Sequence, residues 1–208
     1  EAFGSSFAGR PLGSLGELGC LSFNGNKLLT TGGGGAVICR TAAQAEAVRH
    51  LAQQAKAGPD GYDHDTLGYN YGMTSLSAAL GLGQLAHWEA MLARRREIHA
   101  TYRAALPDLV FPRQAAGCQP NHWLSTALFA DRQAVQQRLA AAGIQSRPLW
   151  RPLPQLPMFR QAPFISQQSQ AMWLYERALS LPSGSQLTPE QQQQVIACLQ
   201  ATAKAGLT

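Results

Sequence analysis

Residues 75 to 106 carry an almost unbroken helical pattern, in which Leu76, Leu80, Leu85, Trp88, Leu92 and Tyr102 mark one apolar side. At 1.5 Å per residue a continuous helix of this length would span on the order of 45 Å, unless Gly81 or Gly83 bends it. An element that long can tie two domains together or form part of a subunit interface.

The first forty residues, ahead of this pattern, are Gly-rich and short-stranded. Residues 20–23 and 36–39 read as strands, and the glycine-laden run 30–35 turns between them. Thr41 with Gln44 is a capping box that starts a helix, and Gly58-Pro59 is expected to stop it. Residues 60–70 are polar and Gly-rich, hence a loop. From Asn121 the pattern becomes compact α+β: a strand over 122–130, a helix capped by Asp131 and closed by Gly143, and a strand over 144–150. A Pro-rich loop over 148–163, a helix from Ser166, a short strand over 179–182 and a last helix follow. Thr188, Pro189 and Gln191 start that helix as cap, first-turn proline and box glutamine.

Composition excludes several classes. Hydrophobic residues make up 45% and charged residues 14% of 208, which suits a folded chain and not a disordered one. The net charge of +5 is scattered. The one dense run, Arg94-Arg95-Arg96, reads as a solvated helix face, and no basic stripe interleaved with aromatics suggests nucleic acid. Cys20, Cys39, Cys118 and Cys198 lie far apart with no metal-ligand spacing, so no metal is expected, and they read as buried free thiols in a reducing compartment. No stretch approaches the roughly 20 apolar residues of a membrane span, and no basic-then-apolar leader is seen. A cytoplasmic protein is the expectation. The start at Glu1, without Met, suggests a truncated, processed or natural half-protein.

Chemistry concentrates in Ser22-Phe23-Asn24-Gly25-Asn26-Lys27, which leaves a predicted strand through a tight turn. A lysine amine near its usual pKa of about 10.4 is mostly protonated and a poor nucleophile. A desolvated pocket, or condensation with an aldehyde, removes that obstacle and makes it a Schiff-base residue. Ser22 can donate its hydroxyl to a phosphate oxygen. On residue types alone, a lysine in a Gly/Asn turn is most often a solvated surface residue. The glycines 32–35 suggest a phosphate cradle, but they lack the Gly-Lys-Ser/Thr ending and open a strand. They read as backbone permissiveness for a tight passage.

The wider sequence resembles the DegT/DnrJ/StrS family. The resemblance runs through Glu1-Ala2-Phe3-Gly4-Ser5, Gly13 to Lys27 and Thr30 to Ala36. It continues in Leu67-Gly68-Tyr69-Asn70-Tyr71-Gly72-Met73-Thr74, in Arg147-Pro148-Leu149-Trp150-Arg151-Pro152-Leu153, and in Leu179-Ser180-Leu181-Pro182. The lysine motif looks most like the perosamine and legionaminic-acid branch. The resemblance implies the α/β class, as the C-terminal part of an aspartate-aminotransferase-like fold that binds pyridoxal 5'-phosphate. Residues 1–110 would be the remainder of the cofactor-binding large domain, with a partial sheet and a long connecting helix. Residues 111–208 would be a small α+β domain. It also implies an aminotransferase that moves an amino group, from glutamate, to a keto-sugar nucleotide. By the same resemblance Lys27 is the Schiff-base lysine and proton shuttle, and Ser22 holds the cofactor phosphate. Asn70 reaches a neighbouring subunit's phosphate in a homodimer, and Glu1 lies near the cofactor's phenolic oxygen. His122 and Trp123 fall on a strand facing the active-site side, with packing and substrate contact both open.

The sequence departs from the family at Gly72, where many relatives have arginine, and at Pro154, where histidine is common. The family's first half, with its phosphate turn, its stacking aromatic and the aspartate for the pyridine nitrogen, has no counterpart here. Lys27 speaks against the family's dehydratases, which use histidine. The competing expectation is a non-catalytic remnant that binds a partner, such as a separate N-terminal half.

Overall fold

In the computed structural model, residues 1–58, 62–166 and 170–203 are described. The chain forms two compact units, Glu1–Ala93 with Gln114–Trp123, and Arg94–Arg113 with everything from Leu124 onward. It therefore passes between units three times, where the sequence suggested a single division near residue 110.

In the first unit β1 (Ser6–Phe7) pairs antiparallel with both β2 (Arg10–Pro11) and β5 (Cys118–Gln119). These two-residue strands carry no sequence pattern, and Phe7↔Cys118 joins distant stretches. A second sheet is the antiparallel pair β3 (Leu18–Ser22) and β4 (Gly35–Cys39), in register from Leu18↔Cys39 to Ser22↔Gly35. Helix α1 (Ala42–Ala52) starts at the expected capping box, with both Thr41 and Gln44 side chains bonded. It ends at Ala52, short of Gly58, while Pro59 lies outside the described residues. The cause is competition for backbone bonds: Gln54 N–H donates to Tyr69 O, Tyr71 N–H to Ala52 O, and Gln54 and Ala55 take positive φ. The expected 60–70 loop is non-helical where described, from residue 62.

The long helical pattern resolves into two helices, α2 (Ser75–Leu85) and α3 (Trp88–Ala105). The break falls at Ala86-His87 and not at a glycine: His87 N–H turns to Gln84 O, three residues back, and Met91 N–H to His87 O resumes the helix. The apolar side divides with it. Leu92 and Tyr102 are buried, whereas Leu76 is 83% and Leu80 47% exposed.

The second unit holds the main core. β8 (Ala178–Leu181), buried at all four residues, lies between β6 (Ser125–Leu128) and β7 (Arg147–Pro148), with Thr126↔Ser180 and Pro148↔Leu179 in register. Helices α4 (Arg132–Ala141), α5 (Gln170–Arg177) and α6 (Pro189–Ala203) complete it. Ile98, Tyr102, Val135, Leu139, Leu179 and Ile196 form the centre. Burial pushes the Tyr102 hydroxyl pKa up, and that hydroxyl donates to Pro182 O at 2.8 Å. The caps read from sequence are present. Asp131 accepts from Ala134 N–H, Gly143 takes φ 73°, and Thr188 and Gln191 bond reciprocally.

Corrections to the remaining expectations are local. The strands expected over 122–130 and 144–150 shrink to four and two residues. The 148–163 loop contains 3-10 turns at Leu153–Gln155 and Pro157–Phe159. α5 begins at Gln170, and residues 167–169 of the expected helix lie outside the described residues. The arginine run is not a solvated face. Arg95 is buried, and Arg94 donates to Leu187 O at 2.7 Å while pairing with Glu97. The cysteines are free, but Cys20 is exposed and the others half-buried. Among the described residues no helix is long and apolar enough to cross a membrane, and no cluster of potential metal ligands occurs.

Candidate active site

The loop that carries Lys27 is closed at its base by the β3–β4 hairpin. Phe23 N–H donates to Gly34 O, and Phe23 O accepts from Thr31 N–H and the Thr30 hydroxyl. Gly32 and Gly34 sit at φ 80° and 90°, in the region side chains rarely adopt. The run read as a tight passage is therefore one. A Cβ at Gly35 would run into the Leu21 carbonyl oxygen. Gly35→Ala is therefore expected to prise the hairpin apart beside Ser22, costing about 1–3 kcal/mol. Urea denaturation would measure it, and an unchanged midpoint would contradict the tight pairing.

Within the loop, Lys27 N–H donates to Asn24 O at 3.0 Å, and Asn24 N–H to Ser22 Oγ at 3.4 Å. Ser22, at the strand end, and Lys27, on the turn, are thus joined through Asn24. Leu28 and Leu29, 3% and 5% exposed, anchor the chain immediately after the lysine.

The Lys27 side chain is 12% exposed, and its Nζ lies 2.9 Å from Glu1 Oε1. The same Nζ sits 3.7 Å from the ring centroid of Trp123, close enough for a cation–π contact. Trp123 Nε1–H donates to Asn26 O at 2.7 Å. Asn121 builds the other side: its Oδ1 accepts from Trp123 N–H, and its Nδ2 donates to Glu1 O and Phe3 O. The Asn121 N–H donates to Ser5 Oγ at 2.9 Å. His122, between these two pinned residues, has φ 48°.

Of the sequence-derived candidates, Lys27 and Glu1 meet directly and Ser22 shares their loop. Asn70 does not join them: it is exposed, bridges Gln53, and makes no hydrogen bond to Lys27, Glu1 or Ser22 among the described residues. Asn121 was missed, and Trp123 was left between packing and substrate contact. Its contact with Lys27 spans about a hundred residues and leaves no periodic signal. Pro154 lines a cavity of about 440 Å³ in the second unit, with Leu153, Phe159, Phe164 and Met172 and without a titratable group.

The family model of the DegT/DnrJ/EryC1/StrS aminotransferases matches residues 1–200. EpsN of Bacillus subtilis (strain 168), named for a pyridoxal phosphate-dependent aminotransferase activity, is 37% identical over 209 residues, covering 96% of this chain and 54% of that protein. The GDP-perosamine synthase of Escherichia coli O157:H7 is 33% identical over 195 residues, covering 92% and 53%. Among solved structures, the PLP form of Spr1654 from Streptococcus pneumoniae superposes with a TM-score of 0.91 at 25% identity, covering 100% of this chain and 57% of that one. The chain spans about half the length of the curated relatives it matches.

Proposed function

The chain belongs to the DegT/DnrJ/EryC1/StrS aminotransferase family, and from that premise we propose that it carries the lysine-bearing half of a site where an amino group passes from glutamate to a keto-sugar nucleotide. Its fold is part of the pyridoxal phosphate-dependent transferase fold, as the likeness to Spr1654 indicates. The observation that carries the reading is the sheltered Lys27 amine, held at 2.9 Å by Glu1 on a loop anchored at the end of β3.

The residues present fit the cofactor. A primary amine suits its aldehyde, the Ser22 hydroxyl suits its phosphate, and the Gly32–Gly35 backbone leaves the loop free of side-chain bulk. Pyridoxal phosphate, when bound, supplies the aldehyde and a conjugated ring that takes up the electron pair released at the substrate carbon. In this reading Lys27 would attach it through its side-chain amine and, when free, would carry a proton to and from the substrate carbon. Ser22 would hold the phosphate, and Glu1, 2.9 Å from the Lys27 amine, would lie near the cofactor. Asn70, which makes no hydrogen bond to Lys27 among the described residues, would serve a second subunit's phosphate in a homodimer. Turnover requires the part of the relatives that this chain does not match.

The test is reductive trapping. Lys27, Lys56 and Lys204 are the lysines of the chain. Incubation with pyridoxal phosphate, borohydride reduction and peptide mass spectrometry are expected to place the pyridoxyl group on Lys27. Label shared evenly with Lys56 would overturn the assignment. A second reading, a partner-binding half-protein without catalysis, draws on the exposed Leu76 and Leu82 of α2.

A further inference from the structure

We propose that Trp123 is the positioning residue of Lys27, gripping both the turn that carries the lysine and the tip of its side chain. The inference rests on the reading of Lys27 as the reactive amine. The ring lies 3.7 Å from Nζ, and its own Nε1–H is bonded to the carbonyl of Asn26, the residue next to the lysine. Trp123 is 9% exposed, so the contact is made largely out of water, where the attraction between a cation and an aromatic face is strongest. Lys27 has four flexible carbons and would otherwise sample many rotamers.

The frame behind Trp123 is equally specific. Asn121 uses its side-chain oxygen on the Trp123 backbone and its side-chain nitrogen on the carbonyls of Glu1 and Phe3. One buried amide thus bonds the backbone of both residues whose side chains touch Nζ, Trp123 and Glu1. His122 between them pays for the arrangement in backbone strain, a left-handed φ that persists where neighbours over-determine it. Glu1 is the charged group facing Nζ among the described residues. Ring and carboxylate both attract the ammonium, and together they hold its position.

Fluorination tests this, because it drains charge from the indole face while nearly preserving its shape. The 208-residue chain is produced with ordinary or trifluorinated tryptophan, and acetylation of Lys27 is followed against pH by mass spectrometry, with Lys56 as reference. The fluorinated chain is expected to label Lys27 about three- to tenfold faster near neutral pH, its labelling midpoint moved to lower pH and that of Lys56 unchanged. Trp123→Phe, which keeps an aromatic face but loses the bond to Asn26, is expected to label at a rate between the parent chain and Trp123→Leu, which exceeds the parent by about tenfold. A role in packing alone would leave the fluorinated midpoint where it was, and that result would overturn the proposal even if Trp123→Leu failed to fold. Labelling uses no cofactor. A moved midpoint without pyridoxyl capture at Lys27 would therefore keep the grip and remove the functional reading, and capture with an unmoved midpoint would do the reverse.

Discussion

Mixed with pyridoxal phosphate, glutamate and a panel of keto-sugar nucleotides, the 208-residue chain by itself is expected to release 2-oxoglutarate at least about ten-thousand-fold more slowly than a complete relative. On the proposed function Lys27 supplies the amine, but turnover also needs the cofactor held flat, its phosphate gripped and its ring nitrogen kept protonated. By family resemblance most of those holders lie in the half of the relatives that the chain does not match. Each preorganised electrostatic contact of this kind is worth roughly 3 kcal/mol, or about a hundredfold in rate, so losing two gives the expected deficit. A coupled assay for 2-oxoglutarate measures it. Release at ordinary enzyme rates, abolished by Lys27→Ala, would show that the chain is sufficient and that the missing contacts were overvalued.

The second large effect concerns Lys27→Arg. Arginine keeps the positive charge, can still pair with Glu1, and can still lie over the Trp123 ring, so the first unit should fold as before. A guanidinium, however, does not lose its proton in the working range of a protein and does not condense with an aldehyde as a primary amine does. Capture of pyridoxal phosphate at position 27, read by absorbance and by borohydride trapping, is expected to fall at least about a hundredfold. Circular dichroism like that of the parent chain would confirm that chemistry and not folding was removed. Persistent capture at the same level would mean that Lys56 or Lys204 takes the cofactor, and the site would have to be moved.

What was legible in the sequence was local. Thr41 with Gln44, Asp131, Gly143 and Thr188 with Gln191 all mark helix ends, because a cap is satisfied within four residues of itself. The Lys27 turn was legible for the same reason, through Ser22 and Asn24. What was not legible depends on distant partners. The strand at Phe7 exists because Cys118 lies opposite it, and neither residue has neighbours that alternate. The helix break at Ala86-His87 involves no glycine or proline, so propensity ran through it. The unbroken apolar stripe likewise concealed that Leu92 and Tyr102 are buried while Leu76 faces solvent. Asn121 and Trp123 were hidden in the same way, since 97 positions separate Trp123 from the Asn26 carbonyl it bonds.

The passage of the chain through its two units has a consequence for inheritance. Lys27 and Glu1 come from the first segment of one unit, while Asn121 and Trp123 arrive on a short return after an excursion into the other. A genetic crossover between two relatives anywhere along that excursion would combine the lysine of one parent with the tryptophan of the other. Chimeras joined there would inherit an amine and its holder shaped by different histories, whereas a junction after Trp123 would transmit the pair intact. Shuffling of substrate preferences among such proteins should therefore tolerate breakpoints beyond residue 123 far better than breakpoints between 28 and 120.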